Sequence, residues 1–161
     1  GTVQDALEAA LAAIAGEPVA ALCAGRTDAG VHAIQQVVHF DTGARRPLTA
    51  WVRGVNSHLP EGVAVRWAQE VDATFHARFS AQARRYRYLL LNRAQRPGLW
   101  QGRVGWLHVP LDLKSMQDAA HRLLGEHDFS ACRAAQCQAK SPVKLMHEAS
   151  VSRGAQRPVL L

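Results

Sequence analysis

Nowhere does this chain stay apolar for the roughly 20 residues a helix needs to cross a bilayer. The apolar stretch 9–14 is bracketed by Glu8 and Glu17 and follows no basic leader, which argues against a transmembrane helix and a signal peptide. Cysteine is scarce and odd in number: Cys23, Cys132 and Cys137, none in a C-x-x-C pair. The 8 histidines include no H-E-x-x-H and no paired His/Cys spacing. A disulfide framework and a structural zinc site are both disfavoured, and a reducing cytoplasm fits. Acidic residues are also in deficit, 13 against 19 Lys plus Arg, for a formal charge of +6. Most of the bases are arginines, whose planar fork suits bidentate phosphate contacts, so the balance leans towards a polyanionic partner. What is present is ordinary for a globular protein: 161 residues, 48% hydrophobic and 20% charged, with no internal repeat or low-complexity segment. That length is enough for one ordinary domain or two small ones.

Residues 3–14 have apolar side chains at helical spacing (Val3, Ala6, Leu7, Ala10, Leu11, Ile14). Thr2 with Asp5 predicts a capping box, and Gly16 followed by Pro18 a stop. Residues 19–24 suit a buried strand that empties into a glycine-bearing loop, and 34–40 a second strand. A helix is expected from Thr49 to before Pro60, and a strand over 62–67, where Val63, Val65 and Trp67 alternate. The polar, short-sided stretch 70–74 is the expected domain boundary. Residues 83–92 predict a strand with Arg84, Tyr86, Tyr88 and Leu90 on one face and Arg85 and Arg87 on the other. Asp112 is placed to cap a helix to about Leu124, with Leu113, Met116, Ala120, Leu123 and Leu124 inward and Gly125 as its stop. A final strand is expected over 144–152. Interleaved helices and strands indicate an α/β or α+β protein.

The segment Gly25-Arg26-Thr27-Asp28-Ala29-Gly30-Val31-His32 is the most informative chemically. It sets one carboxylate on a loop between two apolar strands, with glycines that let the backbone turn and leave room for a ligand. Asp28 has no acidic neighbour between Glu17 and Asp41, while Arg26 stands two residues away. That neighbourhood suits a charged base or nucleophile rather than a proton donor, and a lone carboxylate argues against a two-carboxylate glycosidase. The competing reading is plain turn chemistry, with Asp28 bonding local backbone N–H groups. A phosphate-cradling loop is excluded, since G-x-x-x-x-G-K-[ST] is absent and a strand follows.

The string GRTDAGVHA followed by QVVHF resembles the signature of the TruA family of tRNA pseudouridine synthases. Further matches follow in order. Gly54-Val55-Asn56 with Leu59-Pro60 resembles G-[VL]-N-x-x-L-P, and residues 75–80 resemble FHARFS. Residues 84–88 are similar to R-x-Y-x-Y, and Leu124 to Phe129 to L-x-G-x-H/N-D-F. An unrelated α/β enzyme for a small anion would need all of these to coincide.

The resemblance implies an isomerase converting uridine to pseudouridine at positions 38, 39 and 40 of the tRNA anticodon stem-loop. Asp28 is the implied nucleophile, attacking C6 of the base or C1′ of the ribose; the glycosidic bond breaks, the base turns and C5 joins the ribose. Such a rearrangement implies no metal and no other cofactor. Tyr86 matches the tyrosine that packs on the target base, although a half-buried strand tyrosine is the plainer alternative. Arg26 is implied to pair with Asp28 and hold a nucleotide flipped from the stack. RNA contacts are implied for Phe75, His76, Ala77, Arg78 and Phe79, and for Gln136, Cys137, Gln138, Ala139 and Lys140, the last standing where arginine is usual. Arg84, Arg85 and Arg87 would extend that surface. His32 is expected to orient the loop, while His39, His58, His108 and His121 give no signal.

The implied fold is α+β: two RNA-recognition-like (ferredoxin-like) α/β subdomains with antiparallel sheets flanking a basic cleft. Residues 1–72 would form the catalytic N-terminal domain and 73–161 the C-terminal one, in a cytoplasmic homodimer. Family members are longer at both ends, so an opening strand is expected to be missing and the second domain to be incomplete. Residues 152–161 lack strand alternation and are expected to be a truncated or frame-shifted tail. A catalytically inactive tRNA-binding fragment is the alternative reading.

Overall fold

The computed structural model describes residues 1–133 and 141–154. The chain divides into two compact units, Gly1–Arg87 and Tyr88–Leu161. The break follows Arg87, whereas the sequence placed a boundary at 70–74; the 75–80 segment is bonded into the first unit through His39.

The first unit is organised by helix α1 (Val3–Ala15). Thr2 caps it, accepting the Asp5 N–H while Asp5 accepts the Thr2 N–H, so the expected capping box is present. Gly16 ends the helix at φ 78°, in the left-handed region where only glycine is unstrained. Leu7, Ala10, Leu11 and Ala15 bury one face against Val19, Ala21, Trp51 and Val55. Val3, at the start of the same helical spacing, is 62% exposed and lies outside that cluster. The segment expected as a helix from Thr49 opens with a π-helical turn, Ala50–Gly54, and continues as α2 (Val55–His58). Trp51 and Val55, four apart, both enter the core, where Phe40 meets the Trp51 ring at 5.2 Å. A Cβ at Gly54 would stand 2.7 Å from the Ile14 methyl, so the glycine sets how closely this segment approaches α1.

The predicted strands shorten markedly. Residues 19–24 and 34–40 contribute only β1 (Leu22–Cys23) and β2 (Val38–His39), paired antiparallel with Leu22 opposite His39. Residues 62–67 form no strand. Both main-chain groups of Val65 are instead taken by the Asn56 side chain: Oδ1 accepts its N–H at 2.7 Å and Nδ2 donates to its carbonyl at 2.8 Å. Side chains also replace a ladder at Ala21, whose N–H donates to Glu8 and whose carbonyl accepts from Gln4.

In the second unit, β3 (Leu90–Asn92) runs parallel to β4 (Gly105–Leu107), a departure from the expected antiparallel sheets. The arginine-bearing part of the predicted 83–92 strand joins no ladder among the described residues. Helix α3 is Leu113–His121, capped as expected by Asp112, which accepts the Ser115 N–H. It ends short of Leu124 because Leu123 and Leu124 donate to carbonyls three residues back, tightening the chain into a turn before Gly125 at φ 95°. Leu113, Leu123 and Leu124, expected inward, are exposed, and Met116 and Ala120 are only half-buried. The turn expected around Gly125 is strand β5 (Gly125–Asp128), antiparallel to β6 (Val143–Met146), the residue of the strand predicted over 144–152. The result is a mixed helix-and-strand protein whose hydrophobic core cluster lies, among the described residues, in the first unit, while Pro97 is buried in the second.

Candidate functional site

The 25–32 loop leaves β1 and returns into β2. Its root is fixed on three sides. The Ala24 N–H donates to the Val37 carbonyl at 2.8 Å, extending the β1–β2 pairing by one bond. The Gln36 amide donates to the Gly25 carbonyl at 2.6 Å, and the Arg84 guanidinium to the Ala24 carbonyl at 2.5 Å. Beyond this root the chain is open, with residues 26–36 all exposed. A single tight turn shapes the tip: the Val31 N–H donates to the Asp28 carbonyl at 3.1 Å, with Gly30 at φ 84°. Glycine is needed there because a side chain would meet its own backbone, although space around it is free. Asp28 therefore stands at the first position of a β-turn, on the solvent side of a loop held at its base.

Residues 75–80 dock on β2 next to this loop. His39 organises the docking: its Nδ1 accepts the Ala77 N–H at 3.2 Å, while its ring lies 4.5 Å from His76 and edge-on to Phe75 at 6.2 Å. His76 in turn accepts the N–H groups of Arg78 and Phe79 at Nδ1 and packs its ring 4.3 Å from Phe79. The Ser80 hydroxyl and N–H bond back to the main chain of His76, closing one compact turn. Upstream, the Asp72 carboxylate accepts from the Thr74 hydroxyl and N–H; these hold it below the usual carboxylate range and shape the entry to Phe75. The segment thus divides in two. Ala77 is 3% exposed and Phe75 and His76 are half-buried, so these three hold it, whereas Arg78 and Phe79 point outward. Phe79 and Tyr86 are each 76% exposed, unusual for aromatic rings and suited to stacking on a planar ligand.

Asp28, Arg26, residues 75–79 and Tyr86 all belong to the first compact unit. Gln136, Cys137, Gln138, Ala139 and Lys140 lie outside the described residues. His39 and Gln36, given no role by any motif in the sequence, anchor the 75–80 turn and the loop root. Arg84, expected to extend the RNA-contact surface with Arg85 and Arg87, is exposed, and its guanidinium also donates to main-chain carbonyls. The sequence clue to the two anchors is that Gln35, Gln36 and His39 interrupt the apolar residues Ile34, Val37, Val38 and Phe40 of the expected strand. Among the described residues no three His, Cys, Asp or Glu side chains cluster as metal ligands would, and no helix is long and apolar enough to cross a membrane.

Against known proteins, residues 1–80 and 119–160 match the profile of the tRNA pseudouridine synthase family. The second stretch reaches into the 152–161 tail. The chain is 78% identical over 151 residues to a tRNA pseudouridine synthase A of Dechloromonas aromatica, which covers 94% of this chain and 58% of that one. The counterpart from Thiobacillus denitrificans is 65% identical over 151 residues, and that from Neisseria meningitidis 58% identical over 154. In both, the match again spans 58% of the relative's length. With more than half of its residues matched by the family profile, this chain belongs to the tRNA pseudouridine synthase family.

Proposed function

We propose that the chain carries the catalytic aspartate loop of an isomerase that makes pseudouridine in tRNA, at positions 38, 39 and 40 of the anticodon stem-loop. The observation that carries the reading is the placement of Asp28: the exposed first position of a β-turn on a loop tied at its root, within the part of the chain that matches the family. A carboxylate there is accessible to a nucleotide swung out of its stack, and its position does not depend on the freedom of the loop's ends. Asp28 forms the covalent bond to the uridine; the glycosidic bond then breaks, the base rotates, and C5 bonds to C1′ as its proton leaves. Arg26 holds the extruded nucleotide beside Asp28. The exposed ring of Tyr86 stacks on the target base, and its hydroxyl assists removal of the C5 proton. Arg78 and Phe79 contact the RNA from the docked 75–80 turn, and residues 136–140 add contacts from the second unit. Two RNA-recognition-like subdomains flanking a basic cleft, a cytoplasmic homodimer in the full-length protein, and chemistry without metal or other cofactor complete the reading.

Tritium release from tRNA labelled with [5-³H]uridine tests it, because C5 loses its hydrogen only on isomerisation. Release by this chain, lost in Asp28→Asn with tRNA still bound, is the expected result. Retained release in Asp28→Asn would overturn the role of Asp28. Binding without release by the unaltered chain would favour the alternative, a tRNA-binding but inactive piece of such an enzyme.

A further inference from the structure

We propose that Arg84 is a positioning residue: it ties the segment bearing Tyr86 to the root of the loop bearing Asp28, and does not act as a phosphate ligand. The inference rests on the proposed roles of those two residues. Three observations support it. The guanidinium Nη2 donates to the Ala24 carbonyl at 2.5 Å, one residue before the loop opens. The same nitrogen reaches the Arg78 carbonyl at a longer 3.5 Å, so one side chain spans the loop root and the 75–80 turn. Finally, a Cβ at Gly25 would stand 3.0 Å from Nε and 3.5 Å from Cδ of Arg84, so the arginine stem crosses the space that a side chain at Gly25 would need.

Tyr86 follows two residues later in a segment that, among the described residues, has no ladder of its own before Leu90. Main-chain pairing therefore does not fix Tyr86 against the loop, and the Arg84 bonds supply a link across 60 residues of sequence. A guanidinium suits this role better than an ammonium, since its rigid fork presents two N–H directions while the stem packs over a glycine. Its Nη2 is directed at two neutral carbonyls, whereas, among the described residues, no such main-chain bond from the Arg78 guanidinium competes with an RNA contact in the proposed site.

The test compares Arg84→Ala and Arg84→Lys with the unaltered full chain by single-turnover tritium release, by tRNA affinity at two salt concentrations, and by hydrogen exchange over residues 25–32. Both variants are expected to slow the chemical step about ten- to a hundredfold, as a misplacement of about 1 Å does. The tRNA Kd and its salt dependence should stay within about twofold, while loop exchange accelerates. Added guanidinium should partly restore Arg84→Ala and leave Asp28→Asn inert. Gly25→Ala should impair the unaltered chain more than it impairs Arg84→Ala, because the added methyl then has room. A weakened Kd with a salt slope reduced by about one, at an unchanged saturated rate, would overturn the proposal and make Arg84 a phosphate contact. If the unaltered chain releases no tritium, the proposed function fails on its own. Exchange over 25–32 still decides the strut, and unchanged exchange in Arg84→Ala would refute it.

Discussion

His39 offers the sharpest test of how the 75–80 turn is held, because its ring and its Nδ1 do separable jobs. Its Nδ1 accepts the N–H of Ala77, a residue only 3% exposed, so water is poorly placed to replace it. His39→Phe keeps a ring against Phe75 and His76 but removes the acceptor. A buried N–H left unpaired costs about 1–3 kcal/mol. At 3.2 Å this bond is at the long end of the normal range, which favours the lower part of that interval, about 1.5 kcal/mol. That corresponds to roughly tenfold faster exchange of the Ala77 amide through local opening. His39→Asn is the complement: its side-chain oxygen falls near the place of Nδ1, while the ring contacts at 4.5 and 6.2 Å are lost. Each aromatic contact is worth about 0.5–1.5 kcal/mol beyond its buried area, so this variant is also destabilised. Urea unfolding should show a loss in both, but amide exchange should separate them, with Ala77 unprotected in His39→Phe and largely protected in His39→Asn. Equal protection of Ala77 in both variants would refute the assignment of Nδ1 as the anchor.

Asn56→Ala removes both bonds to Val65 and should lower stability by about 2 kcal/mol. Asn56→Asp, which keeps an acceptor but no donor, should fall between; urea midpoints followed by tryptophan fluorescence check this, and a loss under about 0.5 kcal/mol would contradict it. Glu8 is held below the ordinary carboxylate range by the Gln4 amide and then the Ala21 N–H, and Glu17 by the Thr42 hydroxyl and then the Gly43 N–H. Since both folded values lie below the unfolded one of 4.5, their contribution is fully present above it and is lost as pH falls through the folded values. Glu8→Gln should therefore flatten the acid limb of a stability–pH curve, and an unchanged limb would speak against the Ala21 contact.

The legible parts of this fold were those encoded within a few residues of one another. Thr2, Asp5 and Gly16 wrote both ends of α1, and Asp112 the start of α3, because caps are local hydrogen-bond chemistry. The strands were legible as apolar extended segments but not in length, since a ladder depends on a partner distant in sequence. Over 62–67 the partner is a side chain, Asn56, which alternation of Val63, Val65 and Trp67 cannot reveal. The far end of α3 was overextended because Leu123 and Leu124 keep helical spacing through a tightening turn. In the site, the Asp28 loop was visible from its glycines and lone carboxylate. The contacts that hold it and its neighbours, from Arg84 to Ala24 and from His39 to Ala77, span 60 and 38 residues and leave no periodic trace.

Ala21 lies just ahead of β1, where an extended chain ordinarily offers a free N–H and C=O to whatever strand comes alongside. Here both are already engaged, the N–H by Glu8 and the carbonyl by Gln4, from side chains one helical turn apart on α1. An incoming segment would have to break two bonds and displace a carboxylate before it could add to this edge. The helix that fills the core therefore also occupies the main-chain hydrogen-bonding groups of the segment leading into β1, and that hold weakens in acid as Glu8 takes up a proton.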